Sequence, residues 1–177
     1  GTQTYGSCPF TGKAGKFYVN TETLLWDSKS ARLSGNLWKF LEEKSIWNAE
    51  DADLARLGED RQLPVSAFQP WTVGFDGVRY TIPVRNFKGT VTDIRHYRPG
   101  TKGVWTTVGC KPGLLGAERV PGAHPNKPIY ICEGEWDAIA LQYLFTRCKK
   151  GGVVLATPGA SIFRESWADH FTNRDVY

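Results

Sequence analysis

The spacing of apolar positions changes several times along the chain, and each change predicts a different element. Phe17 to Asn20 and Thr23 to Trp26 are short β-like runs, with turn chemistry at Asn20 to Glu22 between them. Residues 34–41 switch to a helical period, in which Leu37, Phe40 and Leu41 share one face and either Ser34 or Asn36 can cap the start. A second helical segment is expected over 45–62, with Leu54 and Leu57 as its apolar positions and Gly58 as its stop. Residues 63–70 read as a helical turn or linker. From 71 to 109 the pattern alternates: Val73 and Phe75, then 78–84, 90–97 and 104–108. Asp76-Gly77, Lys88-Gly89 and Pro99-Gly100 punctuate it, which predicts an antiparallel meander. A Gly/Pro-rich connection covers 110–127. An α/β unit then follows: strand 129–132 behind Pro128, helix about 135–148, strand 153–156, a loop at Gly159, a helix near 164–171, and a further strand opening at Val176.

The junction at 132–137 carries chemistry. Glu133-Gly134-Glu135-Trp136-Asp137 sets three carboxylates within five residues, where strand 129–132 gives way to a helix. Ligands of open α/β sheets bind at the C-terminal ends of the strands. Carboxylates this close repel one another unless a cation or basic groups compensate. The cluster therefore points to Mg²⁺ or phosphate chemistry.

Composition narrows the class. The chain has 177 residues, 41% hydrophobic and 23% charged, ordinary values for a globular protein. No apolar run approaches the roughly 20 residues of a membrane span, and the first residues do not resemble a signal peptide. No membrane association is expected, and a cytoplasmic location is. Cys8, Cys110, Cys132 and Cys148 are far apart with no Cys-x-x-Cys pair, which argues against a zinc ribbon and gives no reason to expect disulfides. The absence of methionine suggests a piece of a longer protein. The formal charge of +4 is uneven: +3 over 1–41, −4 over 42–70, +5 over 71–119 and zero over 120–177. In the basic middle, cations alternate with rings at Arg79-Tyr80, Arg85-Asn86-Phe87-Lys88 and Arg95-His96-Tyr97-Arg98. Two readings stand: a surface for a nucleic-acid strand, or the solvated outer faces of a sheet.

The order strand, Glu133-Gly134-Glu135-Trp136-Asp137, helix, strand, Ala156-Thr157-Pro158-Gly159-Ala160 resembles the TOPRIM domain of bacterial-type DNA primases and topoisomerases. The upstream stretches resemble the primase branch: 78–89, Asp93-Ile94-Arg95 and Leu114 to Ala117. Cys8-Pro9-Phe10 with Lys13, Phe17, Val19 and Trp26 is similar to the opening of the primase zinc ribbon, and 34–41 to the helix that ends it. Phage and mobile-element primases, often fused to a helicase, look most alike. Two departures stand out. Thr11 occupies a zinc-ligand position, and 27–32 hold no cysteine where the family has a Cys-x-x-Cys. One thiolate cannot make a four-ligand zinc site, so zinc is not expected, and Phe10, Phe17, Trp26, Leu37 and Trp38 are expected to hold a metal-free remnant. The family's Asp-x-Asp pair would fall a few residues past Tyr177.

The resemblance implies an α+β chain with four parts: a degenerate ribbon at 1–44, a helical linker at 45–70, the N-terminal subdomain of the primase polymerase region at 71–126, and a TOPRIM domain at 127–177. It implies a nucleotidyltransferase that makes RNA primers on single-stranded DNA from ribonucleoside triphosphates, with Mg²⁺ or Mn²⁺ and a replicative helicase, fused or separate. Glu133 would be the catalytic, metal-binding carboxylate. Asp137 would support that site or cap its helix, and Glu135 is expected to be structural. Gly134 and Gly159 fit turns where backbone approaches phosphate. Arg79, Arg85, Arg95 and Lys111 would grip template or nucleotide. His96 and Tyr97 are expected to complete a sheet face; Trp71, Trp105 and Trp167 to pack rather than stack on bases, with Trp38 and Trp47 packing too; and Cys132 to be an inert buried thiol. The alternative is a non-catalytic module that binds single-stranded DNA to load or regulate a helicase. A TOPRIM nuclease is disfavoured by 8–41 and 78–117.

Overall fold

The computed structural model describes residues 2–37, 39–40, 43–44, 50–101, 103–108, 110 and 112–177. Trp38, Leu41, Trp47 and Lys111 lie outside the described residues.

The chain begins with an antiparallel sheet in the order β1 (Gln3–Gly6), β2 (Phe17–Asn20), β3 (Trp26–Ser28), β4 (Leu33–Gly35). Strand β1 is fully exposed and has no apolar alternation, which is why the pattern does not announce it. Strand β3 starts at Trp26 rather than Thr23, because 21–25 are spent on the turn. There the Asn20 side chain accepts the backbone N–H groups of Glu22 and Thr23 at 2.9 and 2.8 Å. Ser34, offered as a helix cap, is instead paired in β4 with Asp27. Asn36 is the cap, accepting the Lys39 N–H at 3.0 Å. The rings of Phe10, Phe17, Trp26 and Phe40 pack at centroid distances of 5.5 to 6.4 Å. Buried Cys8 sits beside them. Its thiol is 3.1 Å from Ser28 Oγ and accepts the Thr11 N–H at 3.4 Å. Burial raises its pKa, but hydrogen bonds from Ser28, Ser30 and Thr11 outweigh that and hold it at about 6. Hydroxyls thus surround the one thiol.

Helix α1 (Asp51–Arg61) starts where Glu50 N–H meets Asp53 Oδ2 at 3.3 Å, and ends at Gln62 in the left-handed region. Gly58 does not stop it. A Cβ there would stand 2.6 Å from Leu63 O, so glycine lets the following chain fold back onto the helix. Single 3-10 turns at Val65–Ala67 and Gln69–Trp71 lead into the meander.

The meander is β5 (Gly74–Phe75), β6 (Tyr80–Arg85), β7 (Val91–Tyr97) and β8 (Trp105–Thr106), antiparallel in that order. Pairing of Tyr80 with Tyr97, Ile82 with Arg95 and Val84 with Asp93 puts these six side chains on one face. The apolar ones among them join the main core with Leu57, Phe68, Trp71, Ala138, Ile139 and Val154. Strands β9 (Ile129–Cys132) and β10 (Val153–Ala156) are parallel, connected through helix α2 (Glu135–Arg147). Val176 bridges Ile129 in parallel on the far side of β9, with Tyr177 N–H on Ile129 O at 2.9 Å. Leu115 bridges Ala156 in antiparallel sense. Val153–Ala156 is buried throughout. A second core fills its other side with Leu114, Val120, Ile129, Leu155, Trp167 and Phe171, the last two carried by helix α3 (Glu165–Ala168) and the 3-10 turn behind it. Trp71 and Trp167 therefore pack, as expected. Among the described residues no helix is long and apolar enough to cross a membrane.

Candidate active site

Strand β9 delivers the chain to the acidic turn, and β10 fixes that turn in place. Thr157, one residue past β10, donates its N–H to Cys132 O at 2.9 Å and its hydroxyl to Glu133 O at 3.3 Å. The Glu133 backbone is held and its side chain is exposed. Asp137 is also exposed, in the first turn of α2, where a carboxylate faces the positive end of the helix dipole. Gly134 is the N-cap in ordinary extended backbone, φ −137°, and a Cβ there would meet only Asp137 Oδ2, at 3.6 Å. The turn does not demand glycine at 134. It does at Gly159, whose φ is +146° and whose surroundings are open. The Cys132 thiol is pushed up by burial and by the nearby Asp137 charge, which suits an inert thiol.

Glu135 turns inward. Its Oε1 is 3.0 Å from Arg95 Nε, and Arg95 Nη1 is 3.1 Å from Asp93 Oδ2. Arg95 also donates to Thr106 Oγ1, and to Gly113 O at 3.2 Å. Arg95 is only 2% exposed. One buried guanidinium thus serves two buried carboxylates. Burial raises the pKa of both Asp93 and Glu135, and Arg95 pulls each back down. Arg95 was expected to grip phosphate; in this structure its donors face inward, tying β7, β8, the 113 segment and the start of α2 together. Asp93 was not expected at the site. Its signal was legible: charges at i and i+2 of a strand, on the same face as apolar Tyr97, cannot both point to water.

A cleft of about 400 Å³ opens where the β6–β7 hairpin approaches the segment after β10; Arg85, Phe87, Gly113, Arg164 and His170 are among its walls. Gly113 lies two residues from the Leu115–Ala156 bridge, so the cleft adjoins the C-terminal end of β10. Phe87 and His170 are stacked with ring centroids 3.6 Å apart. Arg164 and His170 escaped sequence reasoning because they are 77 or more positions from Phe87. Arg79 is not brought to this cleft. It precedes β6 whereas Arg85 ends it, a separation of about 20 Å at ~3.3 Å per residue, and it is ion-paired with Asp76 at 2.8 Å. Lys111 lies outside the described residues. Among the described residues no group of three His, Cys, Asp or Glu side chains could hold a metal ion. Glu133 and Asp137 are two exposed carboxylates without a third.

No protein-family model matches the chain, and no curated protein matches it. Solved structures do. A DnaG catalytic core superposes with a TM-score of 0.60 at 16% identity, covering 79% of this chain and 59% of that one. A DnaG primase catalytic domain bound to single-stranded DNA gives 0.58 at 15%, covering 79% and 60%. The zinc-binding and RNA polymerase domains of the Aquifex aeolicus primase give 0.51 at 14%, covering 100% and 65%. At these identities the likeness is one of fold: the chain has a bacterial-type primase fold of mixed α and β structure. It spans about three fifths of the length of these neighbours.

Proposed function

We propose that this chain is the primase module of a replication protein, acting in DNA-templated synthesis of RNA primers. The observation that carries the reading is the exposed Glu133 carboxylate, on a backbone that Thr157 holds at the end of β9, within a primase fold whose basic cleft adjoins the same strand ends. In this reading residues 127–177 act as a TOPRIM domain, 71–126 as its N-terminal subdomain, 45–70 as a linker and 1–44 as a ribbon that needs no zinc. Single-stranded DNA is the template and ribonucleoside triphosphates are the substrates. Arg85 and Arg164 hold triphosphate oxygens, and the stacked Phe87–His170 pair offers a ring face to the base. In the transfer, a primer 3′-hydroxyl attacks the α-phosphorus, the new oxygen–phosphorus bond forms, and pyrophosphate leaves. The protein's share of that chemistry is positioning and charge compensation. Mg²⁺ or Mn²⁺ would supply the remaining compensation, with Glu133 as a ligand. Among the described residues Glu133 and Asp137 would make only part of its ligand set. A replicative helicase, fused or separate, is the proposed partner.

The test is priming by the full protein that contains this chain. Glu133→Ala is expected to abolish primer synthesis, while Glu133→Ala and wild type bind single-stranded DNA within about twofold of each other. Undiminished priming by the variant would sink the assignment.

A second reading is favoured by one observation, the degenerate ribbon, in which Ser28, Ser30 and Thr11 rather than further thiolates surround Cys8. In it the module keeps strand binding and has lost synthesis. Wild-type protein that binds single-stranded DNA and makes no primers under any divalent ion would favour this second reading.

A further inference from the structure

The meander has a second cavity, of about 320 Å³, separate from the cleft beside β10; Arg79, Ile94, His96, Trp105, Val108 and Lys44 are among its walls. We propose that this cavity is a docking site for one base of single-stranded DNA, with Trp105 as the stacking surface and Arg79 and Lys44 as the phosphate-side cations. The proposal rests on the primase reading above and deepens it: template would be held here, away from Glu133.

The argument starts from sheet register. His96 pairs with Trp105 across β7 and β8, so imidazole and indole stand side by side on the face opposite Arg95, with ring centroids 6.5 Å apart. Trp105 is 37% exposed. An edge strand that leaves an indole this open presents a flat apolar surface to solvent, and the neighbouring walls, Ile94 and Val108, are apolar too. Every base has a π-face, so such a surface accepts bases with little regard to sequence. The cations stand at the same cavity. Arg79 is oriented by Asp76, which takes its Nε and Nη2 at 3.0 and 2.8 Å. Its Nη1 makes no hydrogen bond among the described residues, and its side chain is 40% exposed. Lys44 reaches the cavity from the N-terminal unit while donating to Pro9 O at 2.6 Å. A fixed guanidinium and an ammonium beside a flat apolar surface match a phosphate next to a base.

His96 completes the case for a base rather than an anion alone. Thr107 donates its hydroxyl to Ile94 O at 2.9 Å, so in its 2.8 Å contact with His96 Nε2 it can only accept. Nε2 therefore carries the proton. Nδ1 is buried and has no hydrogen-bond partner among the described residues. Burial, then the Arg79 charge, lowers the pKa of the ring, so the ring is neutral at pH 7 and adds no charge. The imidazole beside Trp105 is thus uncharged, which suits a base face rather than a phosphate oxygen.

The experiment is fluorescence anisotropy on the chain with a labelled oligothymidylate, and with the same strand carrying abasic positions. Wild type is expected to bind the abasic strand at least about fivefold more weakly. Trp105→Ala is expected to lose a similar factor on oligothymidylate and to treat the two strands alike. Trp105→Phe, which keeps a ring, is expected to restore the discrimination and to guard against a folding defect. Arg79→Ala is expected to reduce the slope of log affinity against log salt by about one. Equal binding of the two strands by wild type, or unchanged binding by Trp105→Ala, would overturn the site while leaving the Glu133 assignment standing. Tighter binding of oligouridylate than oligothymidylate would overturn DNA as the occupant. No binding of any strand by wild type would remove this site and the template part of the primase reading, whereas loss of priming in Glu133→Ala tests only the catalytic part.

Discussion

At the scale of the residue, Arg95 shows how far a side chain's role depends on what folds against it. A basic residue in a ring-rich, basic segment reads as a phosphate contact. In the structure it is the buried centre between Asp93 and Glu135. Removing it should be costly, because two carboxylates would remain buried without their cation. Arg95→Met is expected to lose about 3–5 kcal/mol at neutral pH, measured by urea unfolding. The pH dependence follows from the raised pKa values of Asp93 and Glu135, caused first by burial. A carboxyl whose folded pKa exceeds its unfolded one holds its proton more tightly in the native state. Its contribution to stability is full below the ordinary carboxylate range and is lost as pH rises through the raised value. The deficit of Arg95→Met should therefore shrink as pH falls through the raised values and both carboxyls take up protons. A deficit that stays constant across that range would mean the guanidinium is not balancing them. Glu135, expected to be structural, is the buried ion-pair partner of Arg95.

At the scale of the element, the contrast is between what a period can say and what a close approach decides. Periodicity correctly puts strands at 17–20, 129–132 and 153–156, a helix from 135, and a meander across 71–109. It fails at β1, which carries no apolar alternation, and at β4, where the Ser34-Gly35-Asn36 run offers two caps and only the register with β3 selects Asn36. It fails again at Gly58. Glycine late in a helical segment reads as a stop, yet here it is where Leu63 O comes back against the helix. Gly58→Ala is accordingly expected to destabilise the protein by about 1–3 kcal/mol through overpacking. Helix propensity alone would give a gain of up to about 1 kcal/mol. The sign of the change in thermal midpoint discriminates between the two.

At the scale of the molecule, the primase fold brings exposed carboxylates and basic clefts onto one frame, and strand binding should carry the electrostatic signature of that frame. Affinity for single-stranded DNA is expected to fall steeply with salt, with a log–log slope of about −0.7 per phosphate neutralised. A slope near zero would argue against any nucleic-acid role. Elemental analysis of the purified chain is expected to show no stoichiometric zinc, because hydroxyls stand around Cys8 where further thiolates would be needed. The sequence alone specified local features: the strand, acidic turn and helix around Glu133, the alternation of the meander and the glycine at 159. These follow from side-chain period and turn chemistry within a few residues. Partnership across the chain was set instead by tertiary packing. Arg95 joined Glu135 forty positions away, Arg164 and His170 came to the same cleft as Arg85 and Phe87, and Trp105 was left open beside Arg79. Burial and ion pairing depend on which faces meet in three dimensions, and no local pattern of polar and apolar residues specifies that meeting.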